Sequence, residues 1–374
     1  MKPPIVLVCE RWGALGGAEL YLRGLAEAIT QRGHDVTVLT EVAKTAHLHP
    51  GVTVEELRAR GFGWMRQLSF HRRVTQRLAS GGSRVLSTLP LAGTTHYLPA
   101  TGVYARTAAA SARAAGGGFR TACYHSGNQL NLRRYLRTRA QRRVCLDPHG
   151  PRILTFSHRV AAHLTEDFSV TPSRILTVPL GVSLPVFHPR ETPPPSSPRL
   201  RLLFIAQNYR LKGLAPLLRA LGEARRTGLE ADLAVVGSQR TRPFKRLAQH
   251  EGVGDRVSFV GRYAGDVAEL YRRSDVLVHP TYSDHCSLVV VQAIACGLPL
   301  IVSREDGASE LITSGRHGVV LDSPDDIPPF VEALRLLADA GTRERMRLAL
   351  VPLAEQVSFE THADRVTDWL TASP

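Results

Sequence analysis

Between Leu57 and Leu146 the sequence has no aspartate or glutamate, yet that stretch holds sixteen arginines, from Arg58 to Arg143. The 374-residue chain carries a net charge of +14, from 47 basic and 33 acidic side chains, so the excess sits in its first half and the remainder is close to neutral. Such asymmetry predicts an anionic partner: a membrane surface, a phosphorylated substrate or nucleic acid. Lysine is scarce, with only Lys2, Lys44, Lys212 and Lys245. Long apolar runs are absent, and none approaches the ~18–20 residues of a membrane span. Cysteine is sparse and odd in number (Cys9, Cys123, Cys145, Cys286 and Cys296), with no two close in sequence. That excludes a disulfide framework and a zinc knuckle and fits a reducing compartment. The apolar run after Met1-Lys2-Pro3-Pro4 is only Ile5–Val8, too short for a secretory leader, so the expected location is cytoplasmic. With 43% hydrophobic and 21% charged residues, the chain is not dominated by disorder. Its length predicts two or three compact units of roughly 100–200 residues each.

What is there reads as two α/β halves. Ile5–Val8 suits a buried parallel strand, and a loop with Gly13, Gly16 and Gly17 follows it. Leu22, Leu25, Ala26 and Ile29 then fall at helical spacing until Gly33. Val36–Leu39, Val85–Leu86, Ile153–Phe156 and Ile175–Val178 are further strand candidates, with a helix ending at Phe168. Residues 184–199 hold six prolines, including Pro193-Pro194-Pro195, and read as a semi-rigid linker. The pattern then restarts. Leu202–Ile205, Leu233–Val236, Val257–Val260, Val276–His279 and Leu300–Val302 are strands, and Leu214–Ala224, Val267–Tyr271 and part of Ile327–Asp339 are helices. The expected division is 1–183, a linker at 184–199, 200–354, and a C-terminal helix within 355–374 packing back on the first domain. Two doubly wound domains predict a ligand in the cleft between them.

Three segments could carry chemistry. Gly13, Gly16 and Gly17 at a strand-to-helix junction would let backbone amides approach an anion, although their spacing is not the dinucleotide fingerprint. A tight turn without a ligand explains them equally well. Arg210 and Lys212 follow the first strand of the second half, where two cations could stabilise a departing pyrophosphate. The bland alternative is a solvated pair of charges. The densest segment runs from His279-Pro280-Thr281-Tyr282-Ser283-Asp284 to Gln292-Ala293-Ile294-Ala295-Cys296-Gly297-Leu298-Pro299.

That segment resembles the motif of the retaining glycosyltransferases of family 4: an acidic residue, seven intervening residues, a second acidic residue, then Ala-x-Ala-x-Gly-x-Pro. Asp284 and Gln292 stand where glutamate is usual. Lys212-Gly213 matches the basic element of that family, and Gly16-Gly17 its N-terminal glycine loop. The narrower pattern is similar to bacterial enzymes that glucosylate the lipopolysaccharide core. The resemblance implies an α/β, GT-B architecture of two Rossmann-like, doubly wound domains facing across a cleft. It implies hexose transfer from a nucleotide sugar, UDP-linked by precedent, to a glycan or glycolipid acceptor, without a metal or a resident cofactor. Arg210 and Lys212 would stabilise the departing diphosphate and Asp284 would bond the donor sugar. Gly16, Gly17, Gly237, Arg262, Cys286, Ser287 and Leu288 would line the nucleotide-sugar site, with Gln292 on the ribose. An amide can both accept and donate there, but it forgoes the stronger charge-assisted bonds. Val289–Val291 alone would read as a strand; the resemblance makes it helix. In the first half, Thr94–Gly102 corresponds to the strand that carries a histidine or aspartate near the donor sugar, which makes His96 the candidate there. His125 is a candidate for the acceptor side. Asp322, Asp325 and Asp326 flank Pro324 and read as a solvated turn, not a metal site.

The acid-free stretch supports peripheral contact with the inner face of an anionic membrane. Phe62, Trp64, Met65, Leu68 and Phe70 interleave with Arg66, Arg72, Arg73 and Arg77, and Arg133, Arg134, Arg137, Arg139, Arg142 and Arg143 form a second basic block. A solvated face and an acceptor pocket are the plainer readings. Three rival functions remain: a non-catalytic sugar-nucleotide binder, suggested by Gln292; a nucleic-acid-binding protein, which lacks supporting aromatic signatures; and a dehydrogenase, with Glu41 after the second strand, which the glycine spacing disfavours. Nucleic acid is not an expected partner.

Overall fold

The structure, a computed structural model, describes residues 3–13, 17–44, 49–79, 81–116, 131–190 and 197–372. The chain divides into two compact units. The first takes the chain up to Ala108, the stretch that ends at Val178 and the C-terminal piece from Glu360. The second takes Pro179–Phe359 and the short stretch that begins at Ala109.

The first unit is a seven-stranded parallel sheet. Its strands are β1 (Ile5–Trp12), β2 (Val36–Ala43), β3 (Val52–Glu56), β4 (Arg84–Ser87), β5 (His96–Tyr97), β6 (Arg152–Thr155) and β7 (Ile175–Thr177), in the order β3-β2-β1-β4-β5-β6-β7. Alternate residues of β1 serve opposite faces. Val6 and Val8 pack with Phe70 and Val74 of the helix Gly63–Leu78. Ile5 and Leu7 face the other way, on the side of the helix Gly17–Gln31, which buries Leu22, Leu25 and Ile29. Burial on both faces is why β1 reads as a continuous apolar run.

The second unit is a six-stranded parallel sheet of β8 (Leu200–Ala206), β9 (Ala231–Gly237), β10 (Val257–Gly261), β11 (Val276–His279), β12 (Leu300–Ser303) and β13 (Gly318–Leu321), ordered β10-β9-β8-β11-β12-β13. One core cluster joins Leu202 and Phe204 of β8, Leu233 and Val235 of β9 and Val276 and Val278 of β11 to Leu214, Leu217 and Leu221 of the helix Leu214–Arg226. Strand order reverses between β1 and β4 and again between β8 and β11. In doubly wound sheets these switch points, at the carboxyl ends of the strands, are where ligands bind.

Two boundaries shift from expectation. Residues 179–183 belong to the second unit, not the first, because Val182 bridges Ser358 and Gly181 lies against the Ser358 backbone. The described part of the proline-rich segment also belongs there: Arg190 Nη1 donates to the Arg272 carbonyl at 3.1 Å, and Phe187 packs edge-on against Tyr271. The C-terminal helix Phe359–Thr371 lies in the first unit, where His362 hydrogen-bonds the Tyr21 hydroxyl at 3.0 Å. No helix among the described residues is long and apolar enough to cross a membrane.

The arginine stretch is less bare in the fold than in the sequence. Acids from elsewhere in the chain return to it: Glu41 pairs with Arg66, Glu55 with Arg77, Asp167 and Glu166 with Arg106, and Glu10 with Arg133 and Arg137.

Candidate functional site

In the second unit, β8 ends at Ala206 and β11 at His279, side by side at the switch point. The chain leaving β8 turns through Asn208–Lys212, with the Lys212 amide donating to the Asn208 carbonyl at 3.0 Å. Gly213 caps the next helix at φ 79°, ψ 28°, and a Cβ there would overlap the Pro280 carbonyl oxygen. Glycine thus lets the β8 loop lie directly on the β11 loop. Tyr282 N donates to the Leu211 carbonyl at 2.9 Å, and Thr281 Oγ1 to the same oxygen at 3.2 Å. Lys212 is delivered to the second loop, where its ammonium donates to the Ser283 carbonyl at 3.2 Å and to the Asp284 carboxylate.

Asp284 is held by its backbone. Its amide donates to the Glu305 carbonyl, and its carbonyl accepts from the Gly307 amide, both at 3.0 Å. That pairing brings in Asp306, whose side chain is fully buried. Its Oδ1 accepts from the amides of Ser287 (3.0 Å) and Ala308 (2.9 Å), while its Oδ2 has no hydrogen-bond partner among the described residues. His279 Nε2 lies 3.2 Å from Ser287 Oγ, 3.8 Å from Asp284 and 3.7 Å from Asp306, and His285 Nδ1 lies 3.3 Å from Asp284. Burial alone would raise both carboxyls. At Asp284 the Lys212 ammonium, with His279 and His285, outweighs it and holds the group well below the usual range. At Asp306 burial and the neighbouring Asp284 charge win, raising it to about 6. His279, Asp284 and Asp306 are donor types that suit a divalent cation. The Lys212 ammonium already stands on Asp284 as its counter-charge, so the cluster is not assigned to a metal.

Ser287 precedes the helix Leu288–Ala295. The first amides of a helix have no partner within it and carry the positive end of its dipole. With Lys212 beside that end, the switch point offers one ammonium and a set of backbone donors to an anion. The valines at 289–291 are helical because Val290 and Val291 are buried together with Ala293–Ala295; tertiary packing overrides their weak propensity.

The other expected site residues fare differently. Arg210 is exposed two residues before Lys212. Gln292 is half-buried, and its Oε1 accepts from the buried Tyr271 hydroxyl at 2.7 Å, so that oxygen is engaged within the protein. Leu288 is half-buried at the helix start. Gly237 ends β9 at φ 122°, where a Cβ would overlap the Ala206 carbonyl; close strand packing accounts for it. Arg262 is exposed just after β10 at the edge of the sheet and makes no ion pair with the cluster. The Cys286 thiol is not presented to a ligand: it is buried, bonds the Leu180 backbone, and burial pushes it well above the usual range.

His96 needs correction. It sits on β5 in the middle of the first sheet, only 1% exposed. Its Nδ1 bonds Thr95 Oγ1 at 2.8 Å and its ring packs edge-on against Trp369, centroids 4.5 Å apart. Burial, then Arg152 and Arg84, push it down to about 3, so at neutral pH it is an uncharged core histidine. Gly16 and His125 lie outside the described residues, and Gly17 is the first residue of the helix Gly17–Gln31.

The first unit has its own pocket, about 360 Å³, at the carboxyl ends of β1 and β4. Glu10, Arg11, Thr88, Tyr104, Arg133 and Arg137 are among its lining residues. Burial would raise the Glu10 carboxyl, but Arg137 and Arg133 hold it below its ordinary value. The Arg137 Nε is buried without a hydrogen-bond partner among the described residues, so the guanidinium keeps donor capacity beyond Glu10. Sequence reasoning missed Glu10, His279 and Asp306 as site residues. For Glu10 and His279 the available signal was a polar side chain near the end of a buried strand; Asp306 had none, because it reaches the cluster through the pairing of its segment with Asp284.

Comparison with known proteins bears on the family and the fold. The model described as Glycosyltransferase Family 4 matches residues 15–185, and the one described as Glycosyl transferases group 1 matches residues 190–349. A D-inositol 3-phosphate glycosyltransferase of Thermobifida fusca is 30% identical over 233 residues, which is 57% of this chain and 53% of the relative. An MMP alpha-(1->4)-mannosyltransferase of Mycolicibacterium hassiacum is 31% identical over 203 residues, 53% of this chain and 47% of the relative. The chain thus spans about half the length of the curated relatives it matches. Among solved structures, WaaG, a glycosyltransferase involved in lipopolysaccharide biosynthesis, has a TM-score of 0.82 at 21% identity, covering 99% of this chain and 100% of that one. HepE of Anabaena in complex with UDP-glucose has a TM-score of 0.72 at 15% identity, covering 99% of both chains. At such identities these likenesses carry the fold, which is GT-B. With two family models matched in succession along most of its length and two doubly wound units of that fold, the chain belongs to glycosyltransferase family 4.

Proposed function

We propose that this protein is a retaining glycosyltransferase that moves a hexose from a nucleotide sugar, UDP-linked, to a glycan or glycolipid acceptor of the cell envelope. The observation that carries the reading is the convergence of Lys212 and the first amides of the helix Leu288–Ala295 at the β8/β11 switch point. Negative charge grows on the leaving diphosphate as the glycosidic bond breaks, and preorganised cationic and amide donors stabilise that charge. Lys212 and Arg210 supply the positive charge, and Asp284 orients the donor sugar through a hydroxyl. The acceptor hydroxyl attacks from the same face, passing its proton to a phosphate oxygen, so no protein base is required. The chemistry is written without a metal, Lys212 taking the electrostatic part a cation would play.

The reading is tested by incubating the protein with UDP-, GDP- and ADP-sugars in the presence of EDTA. Hydrolysis or transfer from one donor is expected. Binding without turnover of any donor would make the chain a sugar-nucleotide binder, and absence of both would end the donor reading.

On the acceptor side, the Arg133–Arg137 pocket of the first unit suits an anionic acceptor group, the class named in the inositol-phosphate relatives. We further propose that the helix Gly63–Leu78 rests on an anionic bilayer at the cytoplasmic face. Phe62 is 75% exposed, and Trp64 and Leu68 are exposed beside Arg72. Pairing of Arg66 and Arg77 with glutamates weakens the electrostatic part. At about 1 kcal/mol for each basic residue near the surface, the remaining charges still favour anionic lipid. In flotation with liposomes the protein should rise with phosphatidylserine-containing vesicles and remain below with neutral ones. Equal recovery would count against the membrane role.

A further inference from the structure

The second unit holds an acid that the transfer chemistry above does not use. Asp306 is fully buried and accepts from two backbone amides through one oxygen, while its other oxygen, on the side of Asp284 and His279, has no hydrogen bond among the described residues. Ligand atoms of His279, Asp284 and Asp306 all lie within 4.8 Å of one another. The positive charge that balances this cluster comes from Lys212 on the Asp284 side. Around it stand His285, the Cys286 thiol and Glu310.

A ligand diphosphate at the helix start competes with Asp284 for the same ammonium. Whatever share of Lys212 it takes, the partly buried Asp284 and the fully buried Asp306 lose. Like charges at such separation, out of water, do not both stay ionised when their counter-charge is withdrawn. We propose that Asp306 is a positioning residue of the donor site: it fixes the Ser287 amide at the start of the helix and takes up one proton from solvent as Lys212 turns from Asp284 to the diphosphate. The O–H bond forms on the unpartnered Asp306 oxygen and can then donate to Asp284 or His279, so Asp284 keeps its place when Lys212 leaves it. This rests on reading the site as one for a nucleotide diphosphate. Asp306 is raised to about 6 before any ligand arrives, which leaves it mainly ionised at neutral pH and ready to accept.

The sign follows from linkage. Added negative charge raises the Asp306 value further, so binding takes up protons. Affinity should therefore rise as pH falls from about 8 towards 6, by at most about tenfold per pH unit and about threefold where half a proton is taken up. Sugar nucleotides are the proper probes, because unlike free UDP they have no phosphate proton that titrates near neutrality.

The experiment is calorimetric titration of the full chain with UDP-glucose and, separately, GDP-mannose, at pH 7 in two buffers of different ionisation enthalpy, and again at pH 6 and pH 8. Wild type should show net proton uptake with at least one probe. Asp306→Asn keeps an acceptor for the Ser287 and Ala308 amides but cannot ionise. It should bind at pH 8 at least as tightly as wild type at pH 6, with no proton uptake and a flat pH profile. Binding by wild type without proton uptake, or equal uptake by D306N, would overturn this inference and leave the donor reading standing. If neither probe bound wild type, the donor reading and this inference would fall together. The wild-type measurement decides the matter even if D306N folds poorly.

Discussion

Replacing Lys212 by alanine should lower kcat/KM for the preferred nucleotide sugar by about 10²-fold or more, the scale of losing one preorganised electrostatic contact. The position explains the size. Lys212 is only partly exposed and is delivered to the switch point by a loop that hydrogen-bonds the β11 loop at two places. Arginine should not restore the rate, because its planar fork does not reproduce a point charge on a short reach. Stability reports separately. In the wild type Lys212 holds Asp284 below its ordinary range, so the pair contributes stability that is present above the unfolded carboxylate value and fades as pH falls through the folded one. The variant loses that contribution. Its deficit in denaturant unfolding should therefore be largest at neutral pH and shrink in acid, where the wild-type pair is itself lost. A near-normal rate with a clear stability deficit would make Lys212 a structural counter-charge and remove it from catalysis.

How much could be read beforehand depended on the kind of signal. Buried parallel strands announce themselves as short apolar runs, so Ile5–Val8, Val276–His279 and Leu300–Val302 were legible, the middle one to the residue. β5 was not, because a strand of His96 and Tyr97 is too short to show a period, and the notion of a first-domain catalytic histidine went astray there. The edge strand β3 mixes polar and apolar residues and carries no continuous run. The helix Leu132–Leu146 is so rich in arginine that its buried face shrinks to Gln141, Val144 and Cys145, leaving little periodicity to detect. The site was half legible. Lys212 could be picked out from residue type and position, and Asp284 through the family resemblance of its segment. Asp306 could not, since it reaches the cluster only through pairing of segment 305–307 with Asp284, a contact that no local pattern records. Charge misled in a similar way: the stretch from 58 to 143 lacks acids in sequence, but parallel-sheet topology returns Glu10, Glu41 and Glu55 to it.

Gly213→Ala should be the most damaging single-methyl change at the site. Its backbone is left-handed, φ 79° and ψ 28°, which costs an alanine about 1–2 kcal/mol. The added Cβ would also overlap the Pro280 carbonyl oxygen, and that neighbour is backbone at the end of a central strand, not a side chain that can swing aside. Forced overpacking of this kind adds about 1–3 kcal/mol. The total, about 2–5 kcal/mol, is a large fraction of the ~5–15 kcal/mol that holds a domain folded. Gly228 supplies the control. It is also left-handed, at φ 89°, but a Cβ there meets nothing among the described residues within 4 Å. Gly228→Ala should therefore show the conformational cost alone, about 1–2 kcal/mol. The difference between the two variants, read from denaturant unfolding of the full chain, isolates the close approach of the β8 and β11 loops. Relief of the overlap has to push those loops apart, which moves the Lys212 ammonium away from the helix start. G213A should then lose activity as well as stability, whereas G228A keeps its activity. Equal stability losses in the two variants would mean that the loops do not touch as described, and with that contact would go the reason for placing Lys212 at the donor site.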